Sequence, residues 1–122
     1  MQHKWWPDQP VLEVKIEGSI ADRDQALGIT KQMVDDIEAS KYQHVIVILD
    51  LTALGQSPSA AALLAGNLPQ TYKIEHLVMI NAPGLFKVAT MPLFSLRNKL
   101  HYVSSQSEAT TKANALLPRL RN

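Results

Sequence analysis

Val45-Ile46-Val47-Ile48-Leu49 is an unbroken run of aliphatic side chains that ends at Asp50. A strand with one face in solvent alternates apolar and polar residues, whereas this run contains no polar position. Leu77-Val78-Met79-Ile80 has the same character. Strands of this kind are typical of a parallel sheet that is covered by helices on both faces. The two runs therefore predict an α/β fold with a parallel pair of strands in its sheet.

The segment before this run predicts a hairpin followed by a helix. Residues 11–17 alternate apolar and charged side chains, which is the pattern of a half-buried strand. The preceding Pro7-Asp8-Gln9-Pro10 is a turn signal, so a short strand at residues 3–6 can pair with 11–17. From Asp22 the apolar residues follow the spacing of one helical face, and this helix is expected to end near Ser40.

The segment after the run alternates helix and strand. The predicted elements are a short helix over 60–68, the strand 77–80, a helix over 85–100 bent at Pro92, a strand over 101–104, and a helix from 105 to about 117. Ser105 and Glu108 fit a capping box at the start of the last helix. The chain is therefore predicted to be a single α/β domain over residues 1–122. The domain is predicted to contain a mixed, mostly parallel sheet of four or five strands together with four helices, in the order β-β-α-β-α-β-α-β-α.

Composition excludes several classes of protein. Of the 122 residues, 46% are hydrophobic and 19% charged, so a buried core is expected rather than disorder. Cysteine is absent, which excludes disulfides, thiolate metal sites and a cysteine nucleophile. The longest apolar run is far shorter than a membrane span, and the first residues lack the apolar core of a signal peptide. We expect a soluble, cytoplasmic protein.

The net charge of +1 argues against a nucleic-acid partner, but it conceals an asymmetry. Residues 1–50 carry five Lys or Arg and nine Asp or Glu, whereas residues 51–122 carry seven and two. This distribution predicts a charge dipole with a negative first helix and a positive C-terminal region. Such a molecule can form a homodimer or attract a partner protein of opposite charge.

The sequence contains no recognisable catalytic or cofactor site. Neither a phosphate-binding glycine loop nor a nucleophile elbow is present. The four histidines (3, 44, 76 and 101) have no spacing that suggests a metal site, and we assign structural roles to His44 and His76 at the N-terminal edge of the sheet. The paired aspartates at 22/24 and 35/36 are explained by solvation and by the helix dipole. We expect no enzymatic activity, no metal and no cofactor.

The C-terminal edge of the sheet is the most informative region. Polar and turn-forming residues that follow two neighbouring strands are expected to converge there, and they are Asp50, Thr52, Ser57, Pro58, Ser59, Asn81 and Gly84. One interpretation is structural, with Asp50 anchoring a turn and Ser57 capping a helix. The other is a recognition or modification loop, because a phosphoserine is favoured at a helix N-terminus.

Two adjacent tryptophans, Trp5 and Trp6, stand in the first predicted strand. Neighbouring residues of a strand point to opposite faces, so at most one of them is expected to enter the core from there. The other is expected to complete the hairpin packing or to anchor a partner.

Two stretches resemble a known family. Val14-Lys15-Ile16-Glu17-Gly18-Ser19-Ile20-Ala21-Asp22 resembles a strand ending in G-x-[LI] before the first helix, and residues 47–54 resemble the central strand with its following loop. Together with the order of elements, they are similar to STAS domains. That family includes bacterial anti-sigma-factor antagonists and the cytoplasmic tails of sulfate transporters. Ser105 to Ala109 fits the S-x-x-E-A helix start of a STAS/CRAL-TRIO-like branch.

The resemblance implies a regulatory domain that binds a protein and does no chemistry of its own. In antagonists the loop after the central strand runs into Asp-Ser-Ser-Gly, and a serine there is phosphorylated by a partner kinase. Ser59 matches the phosphoacceptor, and Ser57 is the competing candidate. Pro58 replaces the aspartate, and the following glycine is absent. The implied partner is a kinase or an anti-sigma-type regulator.

A second hypothesis is contact with a small amphipathic ligand or with the surface of a membrane. It rests on the helix predicted over residues 85–100, where aromatic and basic side chains are Phe86, Lys87, Phe94, Arg97 and Lys99. A face of this composition is suited to an anionic lipid surface. The alternative is an amphipathic helix that packs on the sheet.

Overall fold

A five-stranded mixed sheet organises the part of the chain that the computed structural model describes, residues 2–16, 23–54, 73–82 and 100–120. The elements are β1 (Gln2–Trp5), β2 (Val11–Lys15), α1 (Arg23–Ala39), β3 (Val45–Asp50), β4 (Ile74–Ile80), β5 (Leu100–Val103) and α2 (Gln106–Leu116). Short 3-10 helices follow β3 and α2, at Thr52–Leu54 and Leu117–Arg119.

The strands lie in the order of the chain, β1-β2-β3-β4-β5. β1 is antiparallel to β2, and every later neighbour is parallel. In the β1–β2 turn Asp8 adopts a positive φ of 55°, which aspartate tolerates better than most residues. The backbone N–H of Trp6 bonds to the carbonyl of Val11 at 2.9 Å and closes the turn. The predicted hairpin is therefore confirmed.

β3 lies at the centre of the sheet and is buried on both faces, as its composition predicts. Val45, Val47 and Leu49 join a cluster on the face that also contains residues of α1, and Ile46 and Ile48 join a cluster on the face of α2. α1 contributes Ala26, Met33 and Ile37 to the first cluster. α2 contributes Ala109, Ala113 and Leu116 to the second. The two helices thus pack on opposite faces of one sheet.

The prediction of four helices is wrong for the described residues, which contain two α-helices, α1 and α2. The helix predicted over 60–68 lies outside those residues, and so does the helix predicted over 85–100 except for its last residue. Leu100, which the apolar pattern assigns to the end of the second of these helices, instead begins β5 and pairs with Leu77. A short apolar segment does not distinguish a helix end from a strand start, and here strand pairing determines the outcome.

β4 starts at Ile74, three residues before its apolar run. Its register with β3 shifts between Val45 and Ile46, so Glu75 lies at an irregularity in the ladder. Glu75 is only 8% exposed, and its Oε2 lies 3.1 Å from His44 Nδ1. A buried carboxylate beside a histidine that immediately precedes the neighbouring strand is a long-range arrangement that the local apolar pattern does not reveal.

α2 begins where the capping pattern predicts. Ser105 has an extended backbone and accepts a hydrogen bond of 3.1 Å from the Glu108 N–H through its Oγ. The Glu108 carboxylate accepts hydrogen bonds from the backbone N–H and the hydroxyl of Ser104, the residue before the cap. In the described part of the chain, neither helix has the length and apolar character needed to cross a bilayer.

Candidate functional site at the carboxyl end of the sheet

The carboxyl ends of β3 and β4 meet at one edge of the sheet because these strands are parallel. Asp50 ends β3, and its Oδ1 accepts hydrogen bonds from the backbone N–H of Thr52 at 3.0 Å and from the Thr52 hydroxyl at 2.7 Å. This is the turn-anchoring role predicted for Asp50. The carboxylate therefore holds the first turn of the loop that leaves the central strand.

Asn81 connects this turn to the next strand. Its Nδ2 donates to Thr52 Oγ1 at 3.0 Å, and its backbone N–H donates to the Val103 carbonyl at 2.9 Å. Asn81 has a positive φ of 53°, a conformation that asparagine adopts more readily than other side-chain-bearing residues. We call Asp50, Thr52 and Asn81 the crest. Its three side chains form one hydrogen-bonded chain across two loops.

The crest faces solvent, with Thr52 and Asn81 exposed and Asp50 half-buried. Beside it an open groove of about 450 Å³ runs along the end of β5 and the start of α2, lined by Asn81, Ala82, Tyr102, Val103, Ser104 and Glu108. Tyr102 is 40% exposed, so the groove offers an aromatic surface next to amide and hydroxyl groups. These groups can make hydrogen bonds and apolar contacts with a partner, as at many protein interfaces.

On the α2 side of the sheet, Asp50 also lines a smaller cleft of about 130 Å³. The cleft is bounded by Gln2, Lys4, Glu13, Val14, Lys15, Ile48 and Gln106. Glu13 Oε1 receives hydrogen bonds from the indole N–H of Trp6 at 2.8 Å and from Gln106 Nε2 at 3.1 Å. The cleft therefore joins the hairpin to the start of α2 and contains charges of both signs.

The remaining predicted site residues lie outside the described residues. They are Ser57, Pro58, Ser59, Gly84, Phe86, Lys87, Phe94, Arg97 and Lys99. The structure thus brings together Asp50, Thr52 and Asn81 of the predicted C-terminal edge. The modification loop and the aromatic–basic helix stay predictions.

The histidines form pairs that sequence spacing does not reveal. His3 Nδ1 contacts the Asp36 carboxylate and ties β1 to α1. His76 Nδ1 on β4 lies 3.1 Å from His101 Nε2 on β5, with ring centroids 5.2 Å apart. Burial, the Lys112 ammonium and His76 together lower the pKa of His101 to about 4. The only hint in the sequence is that each residue falls in or beside a predicted strand.

Both tryptophans are partly buried and pack against the two buried clusters without being members of either, which agrees with the expectation that at most one enters the core. Trp5 packs on the α1 side and lies 5.8 Å from Tyr42 between ring centroids, whereas Trp6 packs on the α2 side. The two side chains do point to opposite faces, as predicted. Because helices cover both faces of the sheet, each face provides an apolar environment for one indole.

Comparisons with protein-family models, with curated protein sequences and with solved structures found no significant match.

Proposed function

We propose that this chain is a non-catalytic regulatory domain that binds another protein through the crest and the adjoining groove. The hydrogen-bonded chain from Asp50 through Thr52 to Asn81 is the observation that carries the proposal. It fixes exposed polar groups on the rigid carboxyl edge of a parallel sheet, where open α/β sheets bind their ligands. Loops held by a rigid scaffold are also the usual location of recognition surfaces.

The chemistry of the crest favours binding over catalysis. Its members are a carboxylate, a hydroxyl and an amide whose hydrogen bonds are made to one another, and Asp50 is already engaged by two donors from Thr52. A nucleophilic hydroxyl requires a base that can take its proton, and such bases are usually histidines. The described histidine pairs involve Asp36, Glu75 and His101 rather than the crest.

The resemblance to STAS domains extends this proposal to regulation. Ser59, with Ser57 as the alternative, is the proposed phosphoacceptor, and both follow Thr52 by a few residues in the chain. The proposed partner is a kinase or an anti-sigma-type regulator, and the proposed compartment is the cytoplasm. Adding a phosphate to a serine changes the charge of that stretch of the chain by about −1.5 to −2, which is enough to alter partner binding.

A site-specific crosslinking experiment tests the binding surface. A photoreactive amino acid replaces Ala53, which is exposed next to Thr52, and in a matched control it replaces Gln32, which is exposed on α1. We expect a discrete protein adduct in cells from position 53, none from position 32, and loss of the adduct when Asn81→Ala is added. Identical adducts from both positions, or none from position 53, contradict the proposal. An adduct between two copies of this chain identifies the predicted homodimer.

Regulation is tested separately with Ser59→Asp and Ser57→Asp in the same crosslinking background. Weaker crosslinking in the Ser59→Asp variant, with Ser59→Ala unchanged, supports control by phosphorylation at that serine. The same result for Ser57→Asp instead assigns the phosphorylation site to Ser57. Unchanged crosslinking in both aspartate variants contradicts control by phosphorylation but does not contradict the proposed binding surface.

A further inference from the structure

The His76–His101 pair lies away from the crest. Both side chains are on the face of the sheet that α2 covers, because His101 pairs with Val78 and His76 is two residues before Val78 on the same strand. His76 Nδ1 and His101 Nε2 are 3.1 Å apart, and both residues are partly exposed. Two imidazole nitrogens from adjacent strands therefore meet at hydrogen-bonding distance on a partly exposed part of the sheet.

We propose that His76 and His101 form a binding site for a divalent transition-metal ion of the Zn²⁺ type. Zinc–imidazole bonds are about 2.0–2.1 Å long, so nitrogens 3.1 Å apart subtend an angle of about 95–102° at a shared ion. This angle lies between the octahedral and the tetrahedral values. The spacing of the two nitrogens thus matches chelation of a single ion.

Metal binding requires a lone pair on both facing nitrogens. In the metal-free pair, one ring N–H donates to the nitrogen of the other ring. A neutral imidazole can carry its proton on either nitrogen, so the donor ring exposes its lone pair when that proton moves to its outer nitrogen. The ion then replaces the shared proton between His76 Nδ1 and His101 Nε2 without any change in the number of protons bound.

The predicted site is weak and exchangeable. Within the described residues, no cluster of three or more His, Asp or Glu side chains accompanies the pair, so water or a partner's side chain completes the coordination. The Lys112 ammonium acts electrostatically on His101 and opposes a cation. Imidazole ligands favour Zn²⁺, Cu²⁺ and Ni²⁺ over Mg²⁺ and Ca²⁺, so selectivity follows ligand chemistry. Because one ligand is on β4 and the other on β5, the bound ion ties the last strand to the sheet.

Isothermal titration with Zn²⁺ tests this site on residues 1–122 carrying a histidine-free tag at the N-terminus. The tag blocks the terminal amine, so that this amine cannot act as a competing metal ligand. We expect one Zn²⁺ per chain with a Kd of about 1–100 μM, and no binding of Mg²⁺. His76→Gln and His101→Gln are each expected to weaken binding at least tenfold. The matched control His44→Asn also removes one histidine and is expected to keep the wild-type affinity.

The atoms themselves are identified by NMR of protein with ¹⁵N-labelled histidine. Zn²⁺ is expected to shift His76 Nδ1 and His101 Nε2, and Lys112→Gln is expected to bind several-fold more tightly because a repelling charge is removed. Thermal unfolding in EDTA shows whether each variant is folded. A wild-type Kd above about 1 mM overturns the proposal, as does equal loss in His44→Asn, a shift at other nitrogens, or Lys112→Gln binding no more tightly than wild type.

Discussion

Asn81 Nδ2 donates a hydrogen bond of 3.0 Å to Thr52 Oγ1, across 29 residues of sequence. The same hydroxyl donates to Asp50, so it accepts on one side and donates on the other. A single threonine therefore links the loop after β3 to the residue that follows β4. Crest geometry consequently depends on both loops together.

Coupling between Thr52 and Asn81 is measurable by a double-mutant cycle. Asn81→Ala is expected to lower the free energy of unfolding by about 1–2 kcal/mol, because it removes the hydrogen bond and leaves a less tolerant residue at positive φ. Asn81→Gly relieves the backbone cost and is expected to lose less than Asn81→Ala. Combining Asn81→Gly with Thr52→Ala in urea unfolding is expected to give a coupling energy of about 0.5–1 kcal/mol. Strict additivity contradicts the shared bond.

Glu13 is predicted to hold the hairpin against α2. Its Oε1 accepts from both Trp6 and Gln106, so Glu13→Ala leaves the indole N–H of the half-buried Trp6 without this acceptor. We expect a loss of about 1–2 kcal/mol in urea unfolding. Glu13→Gln keeps an acceptor oxygen and serves as the matched control, with an expected loss well below that of alanine. If the two variants lose equal free energies of unfolding, the negative charge of Glu13 stabilises the fold more than its role as a hydrogen-bond acceptor does.

Packing of α2 on the sheet is tested by one substitution made at two alanines. Ala113 is fully buried against the sheet, whereas Ala115 is exposed. Ala113→Leu is expected to cost about 1–3 kcal/mol by overpacking, and Ala115→Leu to stay within about 0.5 kcal/mol of wild type. Thermal or urea unfolding gives both values. A neutral Ala113→Leu contradicts the tight contact between this helix and β3 or β4.

Stability is predicted to fall in mild acid because of His101. Its pKa is about 4 in the folded chain and ordinarily about 6.5, so between these pH values the unfolded chain binds more protons. The contribution of the neutral His101 side chain to stability is complete above pH 6.5 and is lost as the pH falls to 4. The charged or titratable groups acting on the ring are Lys112 from α2 and His76 from β4.

Urea unfolding in EDTA between pH 7 and pH 4 measures this effect. Wild type is expected to lose about 1 kcal/mol more than His101→Gln over that range, which is less than the full linkage value because the ring is partly exposed. The difference between the two proteins removes the contribution of carboxylates that titrate in the same range. Parallel stability curves contradict the assignment.

Local sequence signals predicted most of the described elements. The hairpin, α1, β3 and the start of α2 each carry their own pattern of alternation, helical spacing, unbroken apolar run or cap. The local pattern does not predict the start of β4, because Glu75 and His76 are polar and their partners, His44 just before β3 and His101 on β5, are distant in the sequence. Such partners are set by strand register, which a local pattern does not contain.

The same limit applies to the candidate sites. Asp50 and Asn81 were predicted to be near each other because parallel strands bring their carboxyl ends to one edge, a rule that needs only strand order. Predicting the histidine pair requires the strand register as well as the strand order. His76 and His101 are 25 residues apart and meet only when β5 pairs with β4 in the observed register. Four histidines without close spacing gave no reason to expect a shared ion.

The adjacent tryptophans make the two sides of the sheet separately observable. Trp5 packs against the cluster with α1 and Trp6 against the cluster with α2, and these are the only two tryptophans in the chain. Replacing either one with phenylalanine leaves a single fluorophore that reports on one layer alone. A pair of such proteins can therefore show by emission, during one unfolding reaction, whether both layers separate from the sheet at the same time or one after the other.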